Sequence, residues 1–245
     1  MSTNDTSAAN EGPTAASQEG AAPRRRPELG GYARGEETRN RIIVAALNAF
    51  GTDGYTRAST RKIAAEAGVN PPALQYYFDS KEGLHLACAQ YIIDRVSAAL
   101  GPGLARVAGV VESSDRTQAM DLICDILDVM VDTALDPEAI NWKPFMARAQ
   151  ADGAGPAYPL IRDQIASPLH AALARLVAAA TGGEAEDEFV RVRSAMIMSQ
   201  MSAFNINRQS TLKLMCWPDF GGERLALIKA AMRMHTRGAL SAHLG

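Results

Sequence analysis

Ser59 to Lys81 reads STRKIAAEAGVNPPALQYYFDSK, and its punctuation describes two short helices around a tight turn. Ser59 is a good N-cap, because its hydroxyl can accept from a backbone N–H that the helix leaves unpaired. Ile63, Ala64 and Ala67 follow on one inward face, and the small Ala64 lets a second helix cross closely. Gly68 stands where the first helix must stop, since glycine takes positive φ without strain, and Val69 plugs the turn into the core. Asn70 caps the second helix and Pro71 is its first residue, where a missing N–H costs nothing. Leu74, Tyr77 and Phe78 then look inward, while Pro72, Ala73, Gln75 and Tyr76 look outward. Two helices so joined form a helix-turn-helix, in which one helix enters the DNA major groove and the other braces it.

The flanks read as helix too. Ile43, Ala46, Leu47 and Phe50 recur at helical spacing over Glu37 to Asp53. Glu36 and Glu37 near its start suit the helix dipole. Gly51 and Gly54 are expected to end this helix, with Tyr55 packed beneath the motif. Ser80-Lys81 opens a longer helix to about Leu100, with Leu84, Cys88, Tyr91, Ile92 and Val96 inward and Gly101-Pro102-Gly103 as its expected break. Further helical patterns cover about 115–135, 137–151, 157–180, 184–207 and 222–242. No alternating strand pattern with turn signals is present, so the fold class is all-α.

Of the 245 residues, 47% are hydrophobic and 21% charged, with a net charge of −2. That is ample for a buried core and excludes a chain that binds polyanions by bulk charge. The distribution is uneven: Ala21 to Lys62 holds nine basic and four acidic residues, so the remainder carries −7. A basic leading segment on an acidic body fits phosphate binding at one end. Residues 1–34 have almost no large apolar side chains and are expected to be a disordered basic arm, in which Arg24 to Arg26 either touch DNA or serve only as a spacer. Cys88, Cys124 and Cys216 show no metal or disulfide spacing and read as buried free thiols of a reducing compartment. No apolar run of about 20 residues suggests a membrane span, so a cytoplasmic location is expected. No cofactor or metal is expected.

TRNRIIVAALNAFGTDGY (38–55), STRKIAAEAGV (59–69) and LQYYFDSKEGL (74–84) closely resemble the N-terminal domain of TetR-type transcriptional regulators, over about 55 residues from Thr38 to Ile92. FMARAQADGAGPAYPLIRDQIASPLHAALARL (145–176) and MSQMSAFNINR (198–208) are similar to the C-terminal domain of the CecR-like branch of that family. The resemblance implies a homodimer whose N-terminal three-helix domains bind a palindromic double-stranded DNA operator and whose α-helical C-terminal domains hold a small-molecule effector and the dimer interface. The boundaries become an arm at 1–34, a helix-turn-helix domain at 36–82 with a linking helix at 81–100, and a ligand-binding and dimerisation domain at 101–245. Carried over position by position, Thr60, Arg61 and Lys81 match phosphate or edge contacts, and Asn70, Pro72, Ala73, Gln75 and Tyr76 match the readout face. Gln75 suits a base edge, since a glutamine amide can pair bidentately with adenine. Tyr76 suits sugar and phosphate.

The C-terminal half offers candidates of another kind. Asp121, Asp125, Asp128 and Asp132 put four carboxylates on one face of the 115–135 helix. They form either a solvated stripe or, around Asp125, the wall of a cavity for a cationic ligand, since a desolvated carboxylate needs a partner. Trp142, Phe145 and Met146, with Met130 and Met201, are read either as core or as the apolar wall of that pocket. By family resemblance the dimer surface is expected on 184–207 and 222–242, through Val190, Ser194, Ile197, Met201, Phe204, Leu225, Ile228 and Met232. The function that follows is a ligand-responsive repressor released from its operator. A ligand-independent DNA-binding protein is the alternative, and an enzyme using the C-terminal cavity a remote one. No nucleophile elbow, phosphate loop or HExxH is present, and His85, His170, His235 and His243 are scattered, so no enzyme is expected.

Overall fold

The computed structural model describes residues 29–153, 155–205 and 207–241, and among them every regular element is helical. The helices are α1 (Leu29–Arg57), α2 (Thr60–Glu66), α3 (Pro71–Phe78), α4 (Lys81–Ala105), α5 (Val107–Ser113), α6 (Arg116–Leu135), α7 (Lys143–Asp152), α8 (Ala157–Ile161), α9 (Ser167–Thr181), α10 (Glu188–Ser199), α11 (Ser202–Asn205), α12 (Arg208–Leu214) and α13 (Glu223–Ser241). A 3-10 turn at Pro137–Asn141 precedes α7, and a π turn at Arg162–Ala166 joins α8 to α9.

Several boundaries differ from expectation. Helix α1 starts at Leu29, so the last residues of the expected arm are helical; Arg24 to Arg26 lie outside the described residues. Gly51 does not end the helix. A β-carbon there would lie 2.8 Å from Pro144 Cβ, so it is the point where α7 lies against α1. The break comes at Gly54, with φ 76°. Helix α4 continues through Pro102 to Ala105. Proline removes one helical hydrogen bond, but buried Leu100 and the close seat of Gly103 on Ile126 hold the last turn in place. Residues 107–113 and 208–214 are helices with no counterpart in the expected set. Cys88 and Cys124 are buried as expected, whereas Cys216 is exposed in a left-handed turn, φ 55°.

Two apolar cores result. The first gathers Ile42, Ile43, Leu47 and Phe50 of α1, Ile63 and Ala64 of α2, Leu74 and Phe78 of α3, and Leu84, Cys88 and Ile92 of α4. Phe145 of α7 and Ala157 and Ile161 of α8 belong to this same core. The second runs from Leu100 through α5, α6 and α9 to α13. The packing therefore divides the chain differently from the sequence: α7 and α8 are built into the core of the helix-turn-helix unit.

On α6, Asp121, Asp125 and Asp132 are about half exposed and Asp128 less so, and each of the four has a cationic partner. Arg237 pairs with Asp121 and Lys229 with Asp132. Arg233 donates to Asp128 at 2.8 Å and to Asp125 at 2.9 Å. Lys229, Arg233 and Arg237 recur every fourth residue on α13, so two helices distant in sequence are laced by a ladder of ion pairs. Arg106 adds a longer pair to Asp125, 3.4 Å.

Candidate nucleic-acid interface

The recognition unit is held by local hydrogen bonds. Ser59 Oγ accepts from Lys62 N–H at 3.4 Å, Asn70 Oδ1 from Ala73 N–H at 2.9 Å, and Ser80 Oγ from Gly83 N–H at 2.9 Å. Each satisfies a donor that the helix start leaves open, worth about 1 kcal/mol. Gly68 takes φ 67° in the turn. Gly83 is required for a different reason: a β-carbon there would fall 2.2 Å from the Phe78 carbonyl oxygen, where α4 departs from α3.

With Leu74 and Phe78 buried, α3 turns Pro72, Gln75 and Tyr76 outward. Tyr76 is 82% exposed, which removes core packing as its explanation. Its ring meets Tyr77 edge-on, 5.4 Å between centroids, while Tyr77 also lies against Phe78. Thr60, Pro72, Gln75 and Lys81 line one groove of about 570 Å³, together with Ser59, Pro71 and Ser80. Arg61, Asn70, Ala73 and Tyr76 do not line it. Arg61, Asn70 and Tyr76 are exposed and Ala73 is half-buried. Asn70 spends its side-chain carbonyl on the α3 cap, which leaves its NH2 for other partners. Lys81 donates to the Thr56 carbonyl at 3.0 Å, and its ammonium lies 5.2 Å from the Tyr55 ring centroid.

The residues expected to form an effector pocket do not converge. Trp142, Phe145 and Met146 pack in the first core, and Met130 and Met201 in the second. Asp125 borders a recess of about 200 Å³, shared with Ala99, Leu100, Pro102, Gly103, Arg106, Ile126 and Val129. This volume is below the range of about 300–1,000 Å³ usual for ligand pockets.

The expected dimer residues are corrected by burial. Val190, Ser194, Ile197, Met201, Ile228 and Met232 are buried inside their own protomer, and Phe204 and Leu225 pack half-buried against the same core. The six buried residues present no outer surface. The outward faces carry Phe189, Val192 and Met196 on α10 and Leu227 and Met234 on α13, 46 to 73% exposed. The stronger apolar stripe of each helix went inward, and the weaker stripe one position away is what remains outside.

Comparison with known proteins agrees with this geometry. Residues 42–88 match the family described as bacterial regulatory proteins, tetR family, and residues 119–243 match the C-terminal domain of the HTH-type transcriptional dual regulator CecR. The CecR of Shigella flexneri is 34% identical over 204 residues, covering 82% of this chain and 91% of that protein. This chain belongs to the TetR family. It is a DNA-binding transcriptional regulator of the CecR branch and not an enzyme. TetR-family regulators bind DNA and act as dimers with small-molecule effectors. Solved structures agree in fold: the TetR family regulator PfmR from Thermus thermophilus has a TM-score of 0.56 at 15% identity over 84% of this chain and 97% of that one. A transcriptional regulator from Rhodococcus sp. has 0.54 at 18% identity over 82% and 95%. No helix among the described residues is long and apolar enough to cross a membrane.

Proposed function

We propose that the protein is a cytoplasmic homodimeric repressor that grips a palindromic operator and lets go when a small molecule binds its C-terminal half. The observation that carries this reading is the outer face of α3, where Gln75 and the 82% exposed Tyr76 stand beside a groove rimmed by Thr60 and Lys81. Gln75 reads a base edge, Tyr76 meets sugar and phosphate, and Thr60, Arg61 and Lys81 hold the backbone. Asn70, Pro72 and Ala73 complete the contact surface. Two copies meet through the outer faces of α10 and α13, which sets the two α3 helices against successive major grooves, about 34 Å apart.

The effector works by population shift: it favours a dimer whose α3 helices no longer match that spacing. The recess beside Asp125 is its candidate entry point. Because Lys229, Arg233 and Arg237 already answer the α6 carboxylates, we infer a neutral or weakly polar effector rather than the cation suggested by the acidic stripe alone. Footprinting on the DNA upstream of the protein's own gene, with and without candidate compounds, tests the whole reading. Protection of a palindrome that a compound abolishes is the expected result. Protection that no compound changes would favour the ligand-independent alternative.

A further inference from the structure

The Lys81 ammonium is seated before any DNA arrives. One of its donors goes to the Thr56 carbonyl at 3.0 Å, and its charge lies over the Tyr55 ring at 5.2 Å. Two donors remain for a phosphate. The seat is itself held by His85 and Gly155, with Phe145 behind His85. His85, one turn along α4, lies 4.7 Å from the Tyr55 ring and 4.7 Å edge-on from Phe50. Phe145 of α7 meets His85 at 5.0 Å. Gly155, in the loop before α8, takes φ 90° and approaches so closely that a β-carbon would fall 2.7 Å from Tyr55 Cγ and 2.9 Å from His85 Cε1.

His85 is 2% exposed, and its Nδ1 has no hydrogen-bond partner among the described residues. A phenyl ring would fill such a site without leaving a polar atom unpaired, so simple filling is a poor account of an imidazole here. The imidazole is the smaller ring, and it leaves room for Tyr55 and the 155 loop to close on it. Burial, and then the nearby Lys81 charge, keep it neutral by lowering its pKa to about 4, so no second cation competes with Lys81.

We propose that His85, Phe145 and Gly155 are positioning residues for Lys81, clamping the Tyr55 ring on which its ammonium rests so that α7 and the 155 loop set the strength of a phosphate contact they never touch. The proposal rests on the reading of Lys81 as a DNA contact. Withdrawing α7 or the loop frees Tyr55, and Lys81 then loses its support and must be ordered anew on each phosphate. A shift of α7 or of the 155 loop thereby weakens the phosphate contact even where α2 and α3 keep their places, in addition to any change in the α3 spacing.

The test is a double-mutant cycle on the full-length protein. Phosphate contacts are independent of sequence, so the probe is a labelled mixed-sequence duplex of about 30 base pairs titrated across a salt series. Lys81→Ala should lower the salt slope by about one. Phe145→Leu should weaken binding about two- to fivefold and lower the slope, yet add nothing once Lys81 is alanine. Tyr55→Leu, which removes the aromatic seat directly, should repeat that pattern and serves if Phe145→Leu melts at the assay temperature. A salt slope unchanged in Lys81→Ala would overturn the DNA-contact reading itself. A slope that falls in Lys81→Ala, with Phe145→Leu and Tyr55→Leu weakening binding equally in both backgrounds, would leave that reading intact and overturn the positioning role.

Discussion

Helices α3 and α13 each bury one face and offer the other, but they offer different chemistry. The free face of α3 carries Gln75 and Tyr76, polar groups around a groove, while that of α13 carries Leu227 and Met234. A helix with one apolar face declares its inside by that face alone. A helix apolar on two sides does not, because the protomer takes the stronger stripe and leaves the weaker one outside. The same spacing rule therefore picks out the outer residues of α3 and the inner residues of α13.

Substitutions on the two faces of α13 sharpen this contrast most. Ile228→Asp places an unpaired charge in the second core and should cost at least about 4 kcal/mol, abolishing the folded state in thermal melts. Leu227→Asp combined with Met234→Asp should leave melting nearly intact and yield a monomer by light scattering, with operator affinity lost. If the outer pair unfolds the chain instead, the assignment of faces is wrong.

Acid should strike the first core selectively. His85 is held neutral in the fold, its pKa lowered to about 4 by burial and then by Lys81. The unfolded chain takes up that proton near pH 6.5, so stability is unaffected above that pH and falls as pH drops from 6.5 toward 4. The loss approaches roughly 3 kcal/mol. His85→Phe should flatten this slope in denaturant titrations followed against pH.

On α3, Gln75→Ala should relax preference at one operator position, a loss of about 1–3 kcal/mol against the favoured base, read from binding to a set of single-base variants. Unchanged specificity would remove Gln75 from the readout. The smallest effect belongs to the ladder. Its members are partly exposed, so Arg233→Met should cost about 1 kcal/mol, and less in high salt.

What is legible in the sequence follows the range of each interaction. Ser59, Asn70 and Ser80 bond within three residues, and Gly68 needs only its own φ, so residue type alone predicts their roles. The roles of Gly51, Gly83 and Gly155 depend on what approaches from elsewhere, and nothing beside them in the chain announces it. The Asp stripe of α6 is visible, but its meaning lies a hundred residues on, in the basic face of Lys229, Arg233 and Arg237. That basic face is a signal the sequence does contain, though its steps of four do not repeat the four-three-four steps of the aspartates. The five apolar effector candidates divide between two cores because apolar spacing marks burial without saying in which core.

The seat of Phe145, Ala157 and Ile161 in the first core bears on anyone who would graft this DNA-reading head onto another sensor. A cut after residue 105 leaves Phe50, Gly51 and His85 facing water where α7 and α8 had lain. Such a chimera should aggregate or melt early unless residues 143–161 travel with the head or the recipient supplies an equivalent cover. The transplantable unit is discontinuous in sequence, and the segment between its two pieces, not the end of α4, is where a foreign sensor should be joined.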